Sequence, residues 1–264
     1  MEFSVTALFP DSVPIFEAGD PRTGSALVLH GGGGPQTVAP IVRHLAATMH
    51  AVAPTHPGWD GTARPHSISS VAQLASSYLA HLLEQGAHDV VLIGSSIGGW
   101  IALEMALQAS SEDRYAGLIV AVINIDGVGA VVEGETIADF FALDARALAE
   151  VAWHNPERGY RDPATLTDQQ RVTQQANAQT MAAIAGAQMS DPDLLARLGL
   201  IDVPTLFVWG ESDRVVTPDY GRAVASAIPT AEFAQIAEAG HLPHMEAPEA
   251  TWRVIDTFLD NHSR

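Results

Sequence analysis

The sequence predicts an α/β fold built on a mostly parallel sheet. Short β-rich apolar runs alternate along the chain with segments that carry apolar residues at helical spacing. Such alternation is typical of parallel strands joined by crossover helices. The run Gly117–Ile125 is apolar on both faces, as expected for a strand in the centre of a sheet that is covered on both sides. We expect a mostly parallel eight-stranded sheet with flanking helices and a helical insertion after the sixth strand.

Each predicted strand is an apolar run bounded by turn-forming residues. The first two suit an antiparallel sheet edge and the others the parallel part: Phe3–Phe9, Val13–Ala18, Ser25–His30, Ala51–Pro54, Asp89–Gly94, Gly117–Ile125, Pro204–Trp209 and Ala231–Ala237. The helices between them follow from apolar residues three and four positions apart. They are predicted at Val38–Met49, Ile68–Gln85, Ile97–Ala109 and Pro248–Leu259.

The alternation stops between the sixth and seventh predicted strands. Residues Thr136–Trp153 carry a helical apolar stripe, and Thr167 with Gln170 forms a capping box for a second helix. Asp191 and Pro192 open a third short helix, with proline at the tolerated first position. We therefore expect a core domain made of residues 1–126 and 200–264, and a helical insertion of residues 127–199.

Composition excludes several classes of function. The formal net charge is −18, and all thirteen basic residues are arginines. A surface this acidic repels nucleic acids and anionic membranes. The chain has no cysteine, so disulfides, thiolate metal sites and cysteine nucleophiles are excluded.

The N-terminal residues Met1–Pro10 lack the basic and apolar regions of a signal peptide. No apolar run approaches the 18 residues of a membrane span. We expect a cytoplasmic protein that acts without a membrane partner, and the sequence leaves a homodimer open.

The strongest chemical signal is the hexapeptide Gly94–Gly99, which reads GSSIGG where a predicted strand meets a predicted helix. A G-x-S-x-G pattern in that setting indicates a nucleophile elbow. The flanking glycines leave room where strand and helix approach closely, and the sharp turn lifts the hydroxyl of Ser96 clear of the sheet. Ser95 is the competing serine, but its register lacks the flanking glycines.

A glycine run follows the strand Ser25–His30, at residues 31–34. Backbone N–H groups in such a loop can turn toward a reacting carbonyl, and acyl transfer needs two donors for the oxyanion. We expect these donors to be the N–H groups of Gly32 and of Ile97, which follows the nucleophile. His30 is interpreted as a structural residue that holds the loop.

A serine hydroxyl needs a neighbouring base, and His241 lies in the loop between the last strand and the last helix. His244 is the rival base. The acid that orients the histidine should follow a strand, as Asp213 does after Pro204–Trp209. Glu211 in the same turn is a weaker candidate, and Asp126 at the end of the sixth strand is the serious alternative.

These four motifs together resemble the α/β-hydrolase superfamily. LVLHGGGG is similar to its oxyanion strand and loop, GSSIGG to its elbow, WGESDRVVTP to its acid loop and AGHLPHMEAPE to its histidine loop. The order Ser96, Asp213, His241 is the order of that family. The resemblance covers the whole chain except residues 127–199, which correspond to the family's variable cap. In PTHPGWDGTARP, members often carry an aspartate and a Gly-x-Gly-x-Ser turn, where this chain has Thr55 and Thr62.

The resemblance implies a serine hydrolase that forms an acyl-enzyme on a small to medium carboxylic ester or lactone, with no cofactor and no metal. Members that cleave epoxides or haloalkanes use aspartate where this chain has Ser96. Hydrolysis of a carbon–carbon bond is the runner-up. Its members usually carry a cap arginine and a tryptophan soon after the histidine, where this chain has Leu242–His244. A non-catalytic ligand receptor is the third hypothesis, which retention of all three triad residues disfavours.

The substrate pocket is expected between core and cap, above the carboxyl ends of the strands. The candidate lining residues are Gly31, Phe140, Phe141, Trp153 and Met181. Packing within the cap is the competing interpretation for each of the four larger side chains.

Overall fold

The computed structural model describes residues 14–262. The predicted strand Phe3–Phe9 lies outside the described residues. Within them, seven strands form one sheet: β1 Pro14–Ala18, β2 Gly24–Leu29, β3 Met49–Pro54, β4 Val90–Ser95, β5 Ile119–Ile125, β8 Thr205–Gly210 and β9 Ala231–Ile236. Their order in the sheet is β1-β3-β2-β4-β5-β8-β9, and all neighbours are parallel except β1 with β3. The predicted parallel sheet with an antiparallel edge is confirmed.

The sheet is covered on both faces, which explains why its central strands are mostly apolar. Strands β3, β4 and β8 are buried at every position. One face packs against α2 Val71–Glu84, α3 Ile97–Ser111 and α8 Pro218–Ser226, and the other against α1 Ala39–Leu45 and α10 Pro248–His262. Two apolar layers therefore sandwich the sheet, as in doubly wound α/β folds.

The segment between β5 and β8 contains short elements. They are the two-residue strands β6 Gly129–Ala130 and β7 Ser190–Asp191, which pair in parallel, and the helices α4 Ala145–Ala152, α5 Pro156–Gly159, α6 Asp168–Ala185 and α7 Leu194–Arg197. In the described chain this segment follows the fifth strand, which is the sixth strand of the sequence-based count. The division into a core and a cap at residues 127–199 stays a prediction.

Two helix boundaries in this segment differ from the predicted ones. The helix predicted over Thr136–Trp153 begins only at Ala145, because Asp144 caps it by accepting hydrogen bonds from the N–H groups of Arg146 and Ala147. The third helix begins at Leu194, not at Pro192. By contrast, the predicted capping box of Thr167 and Gln170 is present in both directions at the start of α6.

The carboxyl ends of the parallel strands lie at one edge of the sheet. The loops that follow β2, β4, β5 and β8 therefore open on the same side, and the loop between β9 and the short helix α9 Pro243–Glu246 joins them. Ligands of open α/β sheets bind at this edge. All four motifs recognised in the sequence lie in these loops.

Candidate active site

Ser96 sits in a strained turn between β4 and α3. Its backbone angles are φ 58° and ψ −122°, which a residue with a side chain seldom adopts. The crowding around it explains the flanking glycines: a Cβ added to Gly94 would lie 2.1 Å from the carbonyl oxygen of Gly98, and one added to Gly98 would lie 2.1 Å from that of Leu29. The elbow requires both glycines, and its turn leaves Ser96 lining a cavity above the sheet.

His241 and Asp213 form a buried pair beside that cavity. Nδ1 of His241 lies 2.8 Å from Oδ2 of Asp213, and a carboxylate can only accept, so Nδ1–H is the donor. This bond leaves Nε2 as the unprotonated nitrogen of the neutral ring. His241 lines the same cavity as Ser96. The histidine is therefore held in the tautomer that a general base for a serine needs.

The carboxylate of Asp213 is fixed on its other side by two backbone donors. Its Oδ1 accepts hydrogen bonds from the N–H groups of Val215 at 2.8 Å and Val216 at 3.2 Å. Asp126 lies nearby but is held differently, with Oδ1 accepting from the N–H of Gly210 at 2.9 Å. The carboxylate bonded to the histidine ring is that of Asp213, while Asp126 lies nearby without a hydrogen bond to the ring.

The glycine loop is held by a network of two buried histidines and a tyrosine. His56 N–H donates to Nε2 of His30 at 3.0 Å, so the proton of the neutral His30 ring is on Nδ1, which donates to the Gly31 carbonyl at 2.8 Å. Nε2 of His56 donates to the His30 carbonyl at 3.1 Å, and the Tyr78 hydroxyl donates to Nδ1 of His56 at 2.8 Å. Every ring nitrogen of this network has a defined role.

This network also fixes the direction of the Gly32 N–H. A trans peptide points its C=O and the following N–H in opposite directions. Because His30 and the N–H of Gly34, at 3.1 Å, both bind the Gly31 carbonyl, the peptide between Gly31 and Gly32 cannot rotate freely. His30 thus orients a backbone donor of the loop, which agrees with its interpretation as a structural residue.

The cavity at Ser96 has a volume of about 140 Å³ and a mostly apolar wall. Four predicted pocket residues line it, namely Gly31, Phe140, Trp153 and Met181, together with the predicted oxyanion residue Gly32. Phe141 is not among the lining residues; its ring packs edge-on against Phe140, with centroids 5.8 Å apart. Ile97 is fully buried at the first position of α3.

Several lining residues were missed by sequence analysis. They include Thr37, Val128, Ile137, Leu148, Met189, Val215 and Leu242. Leu242 adjoins the candidate base and was detectable by position alone. Of the others named, Thr37 is polar and the remaining five are apolar, and only packing brings them together.

A second cavity of about 380 Å³ adjoins the first, because both are lined by Gly32, Gly33, Phe140, Leu148 and Trp153. Its outer wall includes Arg161 and comes mainly from residues 143–178. Two other arginines of residues 127–199 are engaged elsewhere. Arg146 pairs with Glu150 and Glu157, and Arg158 donates to the carbonyls of residues 245 and 246.

The end of α4 is tied to the histidine loop. His241 N–H donates to the Ala152 carbonyl at 2.7 Å. The Glu246 carboxylate accepts from the N–H groups of Gly240 at 2.8 Å, His154 at 2.9 Å and Asn155 at 3.2 Å. Glu246, which belongs to the AGHLPHMEAPE motif, thus links the loop of the candidate base to the segment that lines the cavity.

Three side chains could in principle hold a metal ion at this edge. Ligand atoms of Asp126, Asp213 and His241 lie within 4.8 Å of one another. However, both oxygens of Asp213 and Nδ1 of His241 are engaged in hydrogen bonds with each other or with backbone amides. The donor set therefore fits a triad better than a metal centre. The absence of a metal and of a cofactor stays a prediction.

Burial of neutral histidines makes the stability of the fold depend on pH. Burial lowers the pKa of His30 and of His244 to about 4 and that of His56 well below its usual value. The unfolded chain binds protons at these rings below about pH 6.5 and the folded chain does not, so stability falls as the pH drops from about 6.5 to about 4. The raised pKa of Asp126 acts in the opposite direction.

We expect His244→Gln to remove one of these contributions. Urea unfolding at pH 6.5 and pH 4 should show that the free energy of unfolding of the variant changes less with pH than that of the wild type, by up to about 3 kcal/mol. His88, whose side chain is 81% exposed, provides the matched control, and His88→Gln should follow the wild type. Equal pH dependence in His244→Gln and wild type would contradict a buried neutral His244.

The sequence profile of the Alpha/beta hydrolase family matches residues 26–254. The chain therefore belongs to the α/β-hydrolase family. It is 27% identical over 261 residues to the dihydrolipoyllysine-residue acetyltransferase component of the acetoin cleaving system of Pseudomonas putida, covering 94% of this chain and 66%, just under two thirds, of that protein.

Two further relatives are a lipase and a dienoate hydrolase. Lipase 3 of Moraxella sp. (strain TA144) is 23% identical over 256 residues, covering 93% of this chain and 81% of the lipase. The 2-hydroxy-6-oxo-6-phenylhexa-2,4-dienoate hydrolase of Burkholderia cepacia is 27% identical over 266 residues, covering 92% and 90%. A solved structure, a putative lipase from Acinetobacter baumannii AYE, superposes with a TM-score of 0.75 at 22% identity, covering 93% and 86%. The chain thus has an α/β-hydrolase fold, and its relatives include lipases and a dienoate hydrolase.

Among residues 14–262, no helix is long and apolar enough to span a membrane. The cytoplasmic location and the homodimer stay predictions.

Proposed function

We propose that the protein is a serine hydrolase that cleaves a small to medium carboxylic ester or lactone through an acyl-enzyme. One observation carries this proposal: the strained Ser96 and the Asp213-bonded His241 line the same apolar cavity. A serine on an elbow, a base in the correct tautomer and an orienting carboxylate are the parts of a Ser-His-Asp triad.

In the proposed reaction, Oγ of Ser96 attacks the carbonyl carbon while Nε2 of His241 takes the hydroxyl proton. The N–H groups of Gly32 and Ile97 stabilise the oxyanion, supported by the fixed Gly31–Gly32 peptide and by the start of α3. His241 returns the proton to the leaving alcohol as the C–O bond breaks. Water, deprotonated by His241, then attacks the acyl-enzyme, and the acid is released with regeneration of Ser96.

The wall of the inner cavity favours ester cleavage over the runner-up reaction. Carbon–carbon bond hydrolases of this fold usually bind a carboxylate with a cap arginine. No arginine is among the described residues that line the 140 Å³ cavity, and Arg161 reaches only the outer one. An uncharged acyl group suits the inner cavity, while the outer cavity accommodates the larger part of the substrate.

A panel of p-nitrophenyl esters of increasing acyl length tests this proposal. We expect turnover by the wild type with an optimum at short acyl chains, because the cavity beside Ser96 is small. A fluorophosphonate probe should label Ser96. Labelling without ester turnover would shift the proposal to another bond, and absence of both would favour the receptor hypothesis.

Met181→Ala should move the acyl-length optimum toward longer chains. The Met181 side chain packs against the glycine loop, and a Cβ added to Gly32 would lie 2.6 Å from its sulfur, so truncation enlarges the cavity at the reacting carbonyl. The measurement is kcat/KM across the ester panel. Val172→Ala is the control, since Val172 lies on the same helix and is 59% exposed. An unchanged optimum in Met181→Ala would place the acyl group elsewhere.

A further inference from the structure

Asp126 is a buried carboxyl group for which the reaction above has no role. It is fully buried at the end of β5. One oxygen, Oδ1, accepts from the N–H of Gly210 at 2.9 Å, while Oδ2 has no hydrogen-bond partner among the described residues. A buried oxygen without a partner is costly when the carboxyl group is charged.

Asp213, in contrast, is surrounded by donors. Its two oxygens accept three hydrogen bonds, from two backbone amides and from Nδ1 of His241. Donors directed at a carboxylate stabilise its charged form. A carboxylate oxygen of Asp126 lies within 4.8 Å of one of Asp213. Two negative charges buried so close together repel strongly, so one of the two groups should hold a proton.

The hydrogen bonds decide which group holds it. The charged form is stabilised by three donors at Asp213 and by one at Asp126. Burial, followed by the neighbouring charge of Asp213, raises the pKa of Asp126 well above its usual range. Protonation at Oδ2 would also provide the unpartnered oxygen with a hydrogen to donate.

We propose that Asp126 is protonated at neutral pH and donates a hydrogen bond from Oδ2 to the Asp213 carboxylate, acting as a positioning residue for the triad acid. The unit behind His241 is then a pair of carboxyl groups with a single negative charge. The donated hydrogen bond withdraws negative charge from Asp213, which keeps the acid from binding the histidine proton too strongly. This catalytic consequence rests on the proposed function, whereas the protonation state does not.

Titratable groups from two loops lie beside Asp126. Asp213 and His241 face Asp126 from the acid and histidine loops. His244 on α9 interacts electrostatically with His241 and is itself neutral when buried. The charged neighbours of Asp213 along the acid loop, Glu211 and Arg214, are exposed.

Asp126→Asn is the informative variant, because it reproduces the neutral acid. Asp126 has a positive φ of 46°, which asparagine tolerates better than most residues. The amide oxygen can accept from Gly210, and the amide nitrogen can donate to Asp213. The infrared difference spectrum between wild type and this variant at pH 7 reports the protonation state without any substrate. We expect the C=O stretching band of a protonated carboxyl group in the wild type, and loss of a carboxylate band instead would overturn the proposal.

The acid limb of the pH profile of kcat/KM tests the catalytic consequence. In Asp126→Asn we expect this limb to stay at the wild-type pH. The pair keeps its single negative charge, and the asparagine amide still donates a hydrogen bond to Asp213. If Asp126 were ionised, the variant would remove a negative charge near His241 and the limb would move to lower pH by about one unit. Asp126→Gly, which suits the positive φ, removes the donor, and its limb should move to higher pH. A limb unchanged in the glycine variant would contradict the positioning role.

These readouts separate the two levels of the proposal. A protonated-carboxyl band in a protein that hydrolyses no ester would retain the assignment of the proton and reject the proposed function. Ester hydrolysis with a lost carboxylate band would retain the function and reject the assignment. Thermal unfolding of each variant establishes that the fold is intact before either comparison.

Discussion

Ser96→Ala is expected to lower turnover of p-nitrophenyl esters by about 10⁴-fold or more, because the variant lacks the oxygen that forms the acyl-enzyme. The fold should survive, since only one hydroxyl is lost and the close backbone packing at Gly94 and Gly98 is unchanged. The measurement is kcat/KM with freshly purified protein, together with loss of fluorophosphonate labelling.

The adjacent serine provides the matched control for this substitution. Ser95 is buried at the end of β4, and its hydroxyl has no hydrogen-bond partner among the described residues. Ser95→Ala should therefore retain turnover and labelling. Near-normal activity in Ser96→Ala, or a loss of activity in Ser95→Ala alone, would contradict the assignment of Ser96 as the nucleophile.

Asp213→Asn is expected to lower kcat/KM by about 10⁴-fold. An amide in place of the carboxylate can donate to Nδ1 of His241, which favours the tautomer with its proton on Nε2, the nitrogen that must receive the serine proton. The two backbone donors to Oδ1 would still find an acceptor in the amide oxygen, so the loop should keep its shape.

Asp126→Asn is the comparison that decides between the two candidate acids. We expect a much smaller loss of kcat/KM in this variant, because Asp126 bonds to the N–H of Gly210 and the carboxylate bonded to His241 is that of Asp213. Both variants should be measured with the same ester and checked by thermal unfolding. If Asp126→Asn were the more severely impaired of the two, the triad acid would be Asp126.

Much of the fold was predictable because its signals are local. The buried strands appear as apolar runs, and the capping box of Thr167 and Gln170 depends on residues only three positions apart. Helix boundaries in residues 127–199 were predicted less well. The apolar stripe from Ile137 continues into residues that pack on the core without being helical, and Asp144 starts the helix later than the periodicity indicates.

The candidate site was predictable to the extent that chemistry restricts single positions. The elbow needs glycine on both sides of Ser96 because neighbouring backbone atoms occupy the space that a side chain would fill. The cavity wall was less readable. Met181 and Trp153 were among the candidates, but Phe141 turned out to pack behind Phe140, and nothing in the apolar pattern distinguishes these neighbours.

The sequence by itself determined the parallel α/β architecture, the elbow and the order of the motifs, because sterics and periodicity act over a few residues. Only the tertiary structure decided which carboxylate meets the histidine. Strands β5 and β8 are neighbours, with Ile125 paired to Val208, so Asp126 and Asp213 arrive at the same sheet edge although 87 positions separate them. Their roles then differ through the donors each one meets, and those donors are backbone amides whose directions depend on the folded loops.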